Sequence, residues 1–235
     1  MEDLWQALIK GCSLIISFDS ALFEIVWLSL QISLVAVAVS LLVSLPLGAV
    51  LALCRFPGRQ FLIVMMNVFM GLPPVVVGLF VYLILSRNGP FGVFGLLFTP
   101  SAMVIAQVIL VVPIITVITR QVLEELHTEY NDLLTSLDAS WHRRIITLLW
   151  DARFSLTTAG LAGFGRATSE VGAVMIVGGN IDHLTRVMTT AIALEARKGD
   201  LVMAMALGLV LILLAMTINF LAYSINETTR RRYTL

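Results

Sequence analysis

The sequence predicts an all-α fold: a polytopic membrane helix bundle of five transmembrane helices, with the amino terminus outside and the carboxyl terminus inside. Three observations predict it. Hydrophobic residues make up 59% of the 235 positions and charged residues only 13%, with a mean hydropathy of +0.96, whereas a soluble domain carries about 25% charged residues. Apolar runs recur that are long enough, at ~1.5 Å per residue, to cross a hydrocarbon core of ~30 Å. Between them lies one long polar stretch, Arg120 to Arg153, which reads as a loop facing water. The chain is thus one transmembrane domain over residues 1–235, with an amphipathic arm over 1–22 and a cytoplasmic loop over 120–153.

The arm holds Leu4, Trp5, Leu8, Ile9 and Leu14 to Ile16 but no basic segment before them, so it reads as an interfacial helix rather than a cleaved signal peptide. The first span covers about Val26 to Leu53 and is stopped by Arg55-Phe-Pro-Gly-Arg59. The second, about Phe61 to Leu85, carries Pro73 and Pro74 near its centre, where two missing N–H donors must distort the helix. Ser86 to Gly92 is a loop by its turn residues. A third span runs from about Ser101 to Thr119 with a kink expected at Pro113, a fourth from about Leu156 to Val177, and the last from about Leu201 to Tyr223. Residues 180 to 200 are polar around a short apolar helix, Val187 to Leu194. Basic residues are retained in cytoplasmic loops during insertion. With the amino terminus outside, Arg55, Arg59, Arg120, Arg143, Arg144, Arg153 and Arg230 to Arg232 fall inside, against Lys10, Arg87, Arg186, Arg197 and Lys198 outside.

Within the polar stretch, Asp132 to Leu149 reads as one helical segment whose Leu133, Leu137, Trp141, Ile145 and Leu148 form an apolar stripe. Such a face docks either on the membrane surface and the chain's own helix ends or on a partner. In the fourth span, Arg166 and Glu170 are four residues apart, so they share a helix face and can pair. Charges at membrane depth face a bundle interior or a polar cavity, and two readings stand: a lining of a polar route, or a buried pair that fixes packing. Gly160, Gly163 and Gly172 are small surfaces for close helix approach. Ser29, Ser33, Ser40 and Ser44 read as hydroxyls bonded to their own or a neighbouring backbone. Cys12 and Cys54 form no close-spaced ligand pair, and His127, His142 and His183 have no metal spacing. A formal net charge of zero gives no field for nucleic acid. Nothing matches a nucleotide-binding loop, so any energy conversion falls to another subunit.

The polar stretch resembles the loop shared by permease subunits of ATP-binding-cassette importers, in which an acidic residue, two small residues, a glycine and a terminal Ile-x-Leu-Pro recur at fixed spacing. Asp132, Leu133 and Leu134 stand in the first three places, Leu137-Asp138-Ala139-Ser140 where Leu-Gly-Ala-Ser is common, and Leu148 in the isoleucine place. Asp138 departs from the glycine, and Trp150-Asp151 from Leu-Pro. Gly71 to Gly78, Gly89 to Gly92 and Gly165 to Ile181 are similar to segments of the molybdate, tungstate and sulfate permeases, and nearest to the tungstate-type branch.

The resemblance implies the type I ABC importer fold in a bacterial or archaeal cytoplasmic membrane. It implies a second copy of the chain, two cytoplasmic ABC ATPase subunits carrying ATP and magnesium, and an extracytoplasmic oxyanion-binding protein; no cofactor is expected in this chain. Asp132, Leu133, Leu134, Leu137, Asp138, Ala139, Ser140, Trp141 and Leu148 would couple to the ATPase, with Ala139 and Ser140 as the tight turn. Arg166 and Glu170 would line the path. Gly178, Gly179 and Asn180 would form part of an external gate, or else simply a helix end and turn. The implied function is tungstate import. A molybdate or sulfate importer is the alternative within transport; a structural or assembly subunit and an intramembrane enzyme are the alternatives outside it.

Overall fold

The computed structural model describes Trp5, Ile9, Ser13 and residues 20–233. Most of the arm expected over 1–22 lies outside the described residues. Every regular element among the described residues is helical. Helix α1 is Ser20–Leu53, α2 Arg59–Met70, α3 Pro74–Leu85, α4 Pro100–Ser136, α5 Trp141–Asp151, α6 Arg153–Thr168, α7 Gly172–Gly178, α8 Met188–Lys198 and α9 Leu201–Tyr233, with one 3₁₀ turn at Gly92–Phe94.

Three helices are long and apolar enough to cross a membrane: α1, α4 and α9. The second expected span is not one kinked helix. It is broken into α2 and α3, which are inclined at 104°. Pro74 cannot donate to Met70 and its ring excludes the helical path, while Pro73 is driven to extended backbone (φ −64°, ψ 122°). Each half is 12 residues, about 18 Å, too short to span alone.

The third expected span is longer than its apolar run. Helix α4 begins at Thr99, whose hydroxyl accepts from the Ala102 N–H, with Pro100 in the first turn where no donor is needed. It continues through Pro113 to Ser136, 37 residues, about 55 Å. The first half of the polar stretch is therefore an extension of this helix and not a loop. Sequence hydropathy ended the span at Arg120 because charge marks the edge of the bilayer, not the end of helical hydrogen bonding.

The fourth expected span is likewise divided. Helix α6 ends at Thr168, Ser169 to Val171 break the ladder, and α7 resumes at Gly172 for seven residues. The short apolar helix expected over 187–194 extends to Lys198 as α8.

Helices α1 and α4 run parallel and touch along their length. Ile32 packs in one cluster with Met103 and Ala106, Ser44 Oγ donates to Val112 O (3.0 Å), and Ala49 shares a cluster with Leu123. At Gly48 an added Cβ would lie 2.7 Å from Thr119 Cβ, so the backbones meet there only because Gly48 has no side chain. Helices α1 and α4 point the same way, and α2, α3 and the 3₁₀ turn connect the end of one to the start of the other. Helices α6 and α7 run antiparallel to α4: Leu156 lies with Leu123, Gly163 against Val111 and Ile115, and Gly178 against Met103. Gly163 and Gly172 make the close approaches expected of them, the latter to Val75; Gly160 makes only ordinary contact with Leu41. Ser29 donates to Ile25 O (2.6 Å) and accepts from the Met188 N–H (2.8 Å). The outward faces carry large apolar side chains such as Trp27, Leu42, Phe80, Leu83 and Phe220, as a lipid-facing surface requires.

Candidate functional site: a polar elbow and a broken helix

The polar stretch folds as an elbow between α4 and α5. Asp132 to Leu149 is not one helix: α4 ends at Ser136, Leu137 to Ser140 turn, and α5 starts at Trp141. Ala139 N–H donates to Leu134 O and Asp138 N–H to Thr135 O, both 3.1 Å. This pair of bonds is the Schellman closure of a helix end, which requires a left-handed residue where Asp138 stands. Asp138 has φ 47°. The position therefore has the conformation that glycine takes without cost, and the substitution seen in the sequence leaves the turn intact but strained. Asp138→Gly is expected to raise stability by about 1 kcal/mol, checked by the thermal unfolding midpoint of the purified chain in detergent.

Breaking the segment at the turn separates the expected stripe into two sets. Leu134 and Leu148 are buried, Leu148 to 1% exposure, with Leu123, Ala49, Ala152 and Leu156, and Ala139 and Ile145 pack on the same cluster. These anchor the elbow to its own bundle. Leu133, Leu137 and Trp141 remain exposed, joined by Ile146 and Trp150, which the stripe did not include. Asp132 and Ser140 are also exposed.

From the sequence, Arg144 is only one of the basic residues expected inside. Its Nε donates to Ala139 O (2.9 Å), and Nη2 lies 3.4 Å from both Leu134 O and Thr135 Oγ1. A cation here complements the negative end of α4 and adds a second donor to Leu134 O, which already accepts from the Ala139 N–H. A basic residue a few positions beyond a helix end was the signal available. A second junction was also missed. Glu124 accepts from Arg120 Nη1 (2.7 Å) and from Arg59 Nη2, while Arg59 Nε donates to Leu51 O (2.7 Å). The start of α2 is thereby tied to α4 and to the end of α1.

The second constellation lies at the break between α6 and α7. Arg166 Nη1 donates to Glu170 Oε2 (2.7 Å), with Glu170 3% exposed and Arg166 28%. The pair does not ride one helix face as expected; it bridges the break. Glu170 Oε1 accepts from the Ala173 N–H (3.0 Å), capping α7, and Glu170 O accepts from Thr189 Oγ1 (2.8 Å) of α8. Gln107 of α4, buried, donates to Ala167 O (3.1 Å) at the end of α6. A cavity of about 20 Å³ adjoins these groups, lined by Ser29, Ser33, Gln107, Thr168 and Glu170 among others, enough for a single water.

Gly178, Gly179 and Asn180 end α7. Gly179 is left-handed (φ 72°) and an added Cβ would lie 2.8 Å from Phe98, so glycine is required twice over. Asn180 is also left-handed (φ 52°). Thr185 Oγ1 donates to Gly178 O (2.6 Å) and accepts from Ile181 N–H (2.9 Å), closing the turn. Beyond it, His183 Nδ1 pairs with Glu24 Oε2 at the start of α1 (2.7 Å), and Arg186 donates to Asp182 (2.6 Å). The hydrogen bond and charge of Glu24, then the charge of Asp182, raise the His183 pKa above its ordinary value of 6.5. The bridge is complete below 6.5 and is lost as pH rises through the raised value. A proton-detected titration of His183 in micelles is expected to give that raised value, and Glu24→Gln to return it toward 6.5.

The profile of a family described as binding-protein-dependent transport system inner membrane component matches residues 44–234. The tungstate uptake system permease protein TupB of Peptoclostridium acidaminophilum is 39% identical over 227 residues, covering 97% of this chain and all of the relative. The protein of the same name from Campylobacter jejuni subsp. jejuni serotype O:2 is 37% identical over 174 residues, 74% of this chain and 73% of that one. Among solved structures, a chain of the MetNI methionine ABC transporter in an inward-facing conformation superposes with a TM-score of 0.74 at 18% identity, over 90% of this chain and 97% of that one, a likeness of fold. Long apolar helices, a family profile spanning the bundle and the elbow, and relatives aligned over nearly the whole length agree: this multi-pass membrane protein belongs to the family of binding-protein-dependent transport system inner membrane components.

Proposed function

We propose that the chain is the permease subunit of an ATP-driven tungstate importer of the type I ABC class. Two copies would form the path, two cytoplasmic ABC ATPase subunits bind the elbows, and an extracytoplasmic binding protein delivers the ion. The observation that carries the reading is the elbow: an exposed apolar edge of Leu133, Leu137 and Trp141 on a segment whose other face is locked into the bundle. Relatives named for tungstate uptake over most of the chain support the substrate. Counting α2 with α3 and α6 with α7 as one crossing each, alongside α1, α4 and α9, supports five crossings with the amino terminus out. The basic side chains at the elbow end support that end as cytoplasmic.

In this reading nucleotide-driven closure of the ATPase pair moves the elbows, and the bundle alternates between inward-facing and outward-facing states. Arg166 attracts the dianion near the path, and Glu170 keeps the site from trapping it; Gly178, Gly179 and Asn180 lie toward the outer gate. The test is ATP-dependent uptake in proteoliposomes holding the chain with its ATPase and binding protein, offered tungstate, molybdate or sulfate separately. Preference for tungstate is expected. Preference for another of the three replaces the substrate, and no uptake of any, with ATP hydrolysis intact, overturns the reading.

A further inference from the structure

A rigid connection is needed if a push on α5 is to move α4, and the four-residue turn between them does not provide one by itself. Asp138 occupies a strained left-handed conformation, and a strained joint yields first. The apolar cluster beneath holds α5 down but is non-directional, so it tolerates sliding of one helix over the other. One side chain opposes that. Arg144 reaches back from the first turn of α5 to Leu134 O in the last turn of α4 and to Ala139 O within the elbow. These two carbonyls lie on opposite sides of Asp138, and a planar guanidinium that engages both holds their relative direction as well as their distance. The Thr135 hydroxyl adds a third point on α4.

We propose that Arg144 is a positioning residue for energy coupling: it fixes the angle of α5 on α4, so that movement of the elbow's exposed edge is carried into the bundle rather than absorbed at Asp138. Its side chain acts inward and leaves Leu133, Leu137 and Trp141 to meet the partner. The proposal rests on the reading that the elbow meets the ATPase, and it separates binding from transmission. Removing Arg144 leaves the docking edge in place and loosens only its connection.

The experiment uses the reconstituted complex with its ATPase and binding protein and tungstate as the transported ion. In Arg144→Gln the ATPase subunits are expected to co-purify at parental stoichiometry and to hydrolyse ATP at half the parental rate or more, while tungstate taken up per ATP falls about tenfold. Arg144→Lys, with a single ammonium in place of the fork, is expected to recover part of the loss. Spin labels at Glu129→Cys on α4 and Thr147→Cys on α5 give a direct readout: one narrow distance distribution in the parent, and a broadened one in Arg144→Gln. Unchanged uptake per ATP, or an unchanged distance distribution, overturns the proposal. So does a loss of co-purification in step with uptake, which makes Arg144 a folding or contact residue. Leu137→Asp on the same complex keeps the two ideas apart: if it leaves co-purification unchanged, the elbow is not the docking site and the functional reading itself fails.

Discussion

Glu170→Ala is expected to be the most damaging single substitution in the bundle, lowering stability by about 3–5 kcal/mol, the range for removing one member of a buried ion pair. Two losses coincide at one carboxylate. Arg166 is left without its counter-ion at membrane depth, and the Ala173 N–H at the start of α7 loses its acceptor. Glu170→Gln keeps one acceptor oxygen, enough for the Ala173 N–H but not for Arg166 as well, and is expected to recover part of the loss. The check is the unfolding midpoint in detergent for parent and variants. A change within about 0.5 kcal/mol, as at an indifferent surface site, would show that the break between α6 and α7 does not depend on this residue. The paired variant Arg166→Leu with Glu170→Leu removes both charges together, so that no buried charge is left unpaired and only the Ala173 cap is lost. It therefore separates packing from passage: a stable paired variant with full tungstate uptake would take the pair out of the path.

Leu137→Asp is expected to leave the fold almost untouched and to abolish coupling. Leu137 is 68% exposed, so a carboxylate there remains in water in the free chain and costs within about 0.5 kcal/mol. In the assembled importer it would be buried against the ATPase, and loss of an anchor costs about 2 kcal/mol or more, roughly 30-fold in affinity. Titrating the ATPase onto detergent-solubilised parent and variant measures this directly, with loss of stimulated ATP hydrolysis as the second readout. Retention of both would return the elbow to the role of a structural assembly element. Leu148→Asp is the contrasting variant, because Leu148 is buried beneath the elbow and its replacement should unfold the elbow before any partner is met.

What the sequence made legible followed from two periodicities. Long apolar runs identified α1, α4 and α9, and helical spacing singled out Leu133, Leu137 and Trp141, which the fold leaves exposed. The break points were harder to read. Pro73 and Pro74 announce a distortion but not its size, because 104° is set by the packing of α3 against α7, where Gly78 meets Ala173. Nothing at Ser169 to Val171 resembles a helix terminator, so an i, i+4 pair was the natural reading of Arg166 and Glu170. The pairing is present, yet the chain between them has left the helix and Glu170 has become a cap. The apolar stripe of the elbow mixed two destinations, since Leu134 and Leu148 fill their own core and Leu137 does not. Residues that act through backbone carbonyls, Arg144 above all, leave no periodic trace.

The parallel contact between α1 and α4 has a temporal consequence. Ser44 donates to a carbonyl 68 residues further along the chain. At a synthesis rate of about 5–20 residues per second, α1 enters the membrane some 3–14 s before the helix that covers it has been made. During that interval the hydroxyl of Ser44 and the bare surface at Gly48 have no α4 to meet, and a polar group in lipid is satisfied only by its own helix or by another protein. The nascent chain is therefore held by its insertion machinery, or waits with the Ser44 hydroxyl turned onto the α1 backbone, until Val112 and Thr119 arrive.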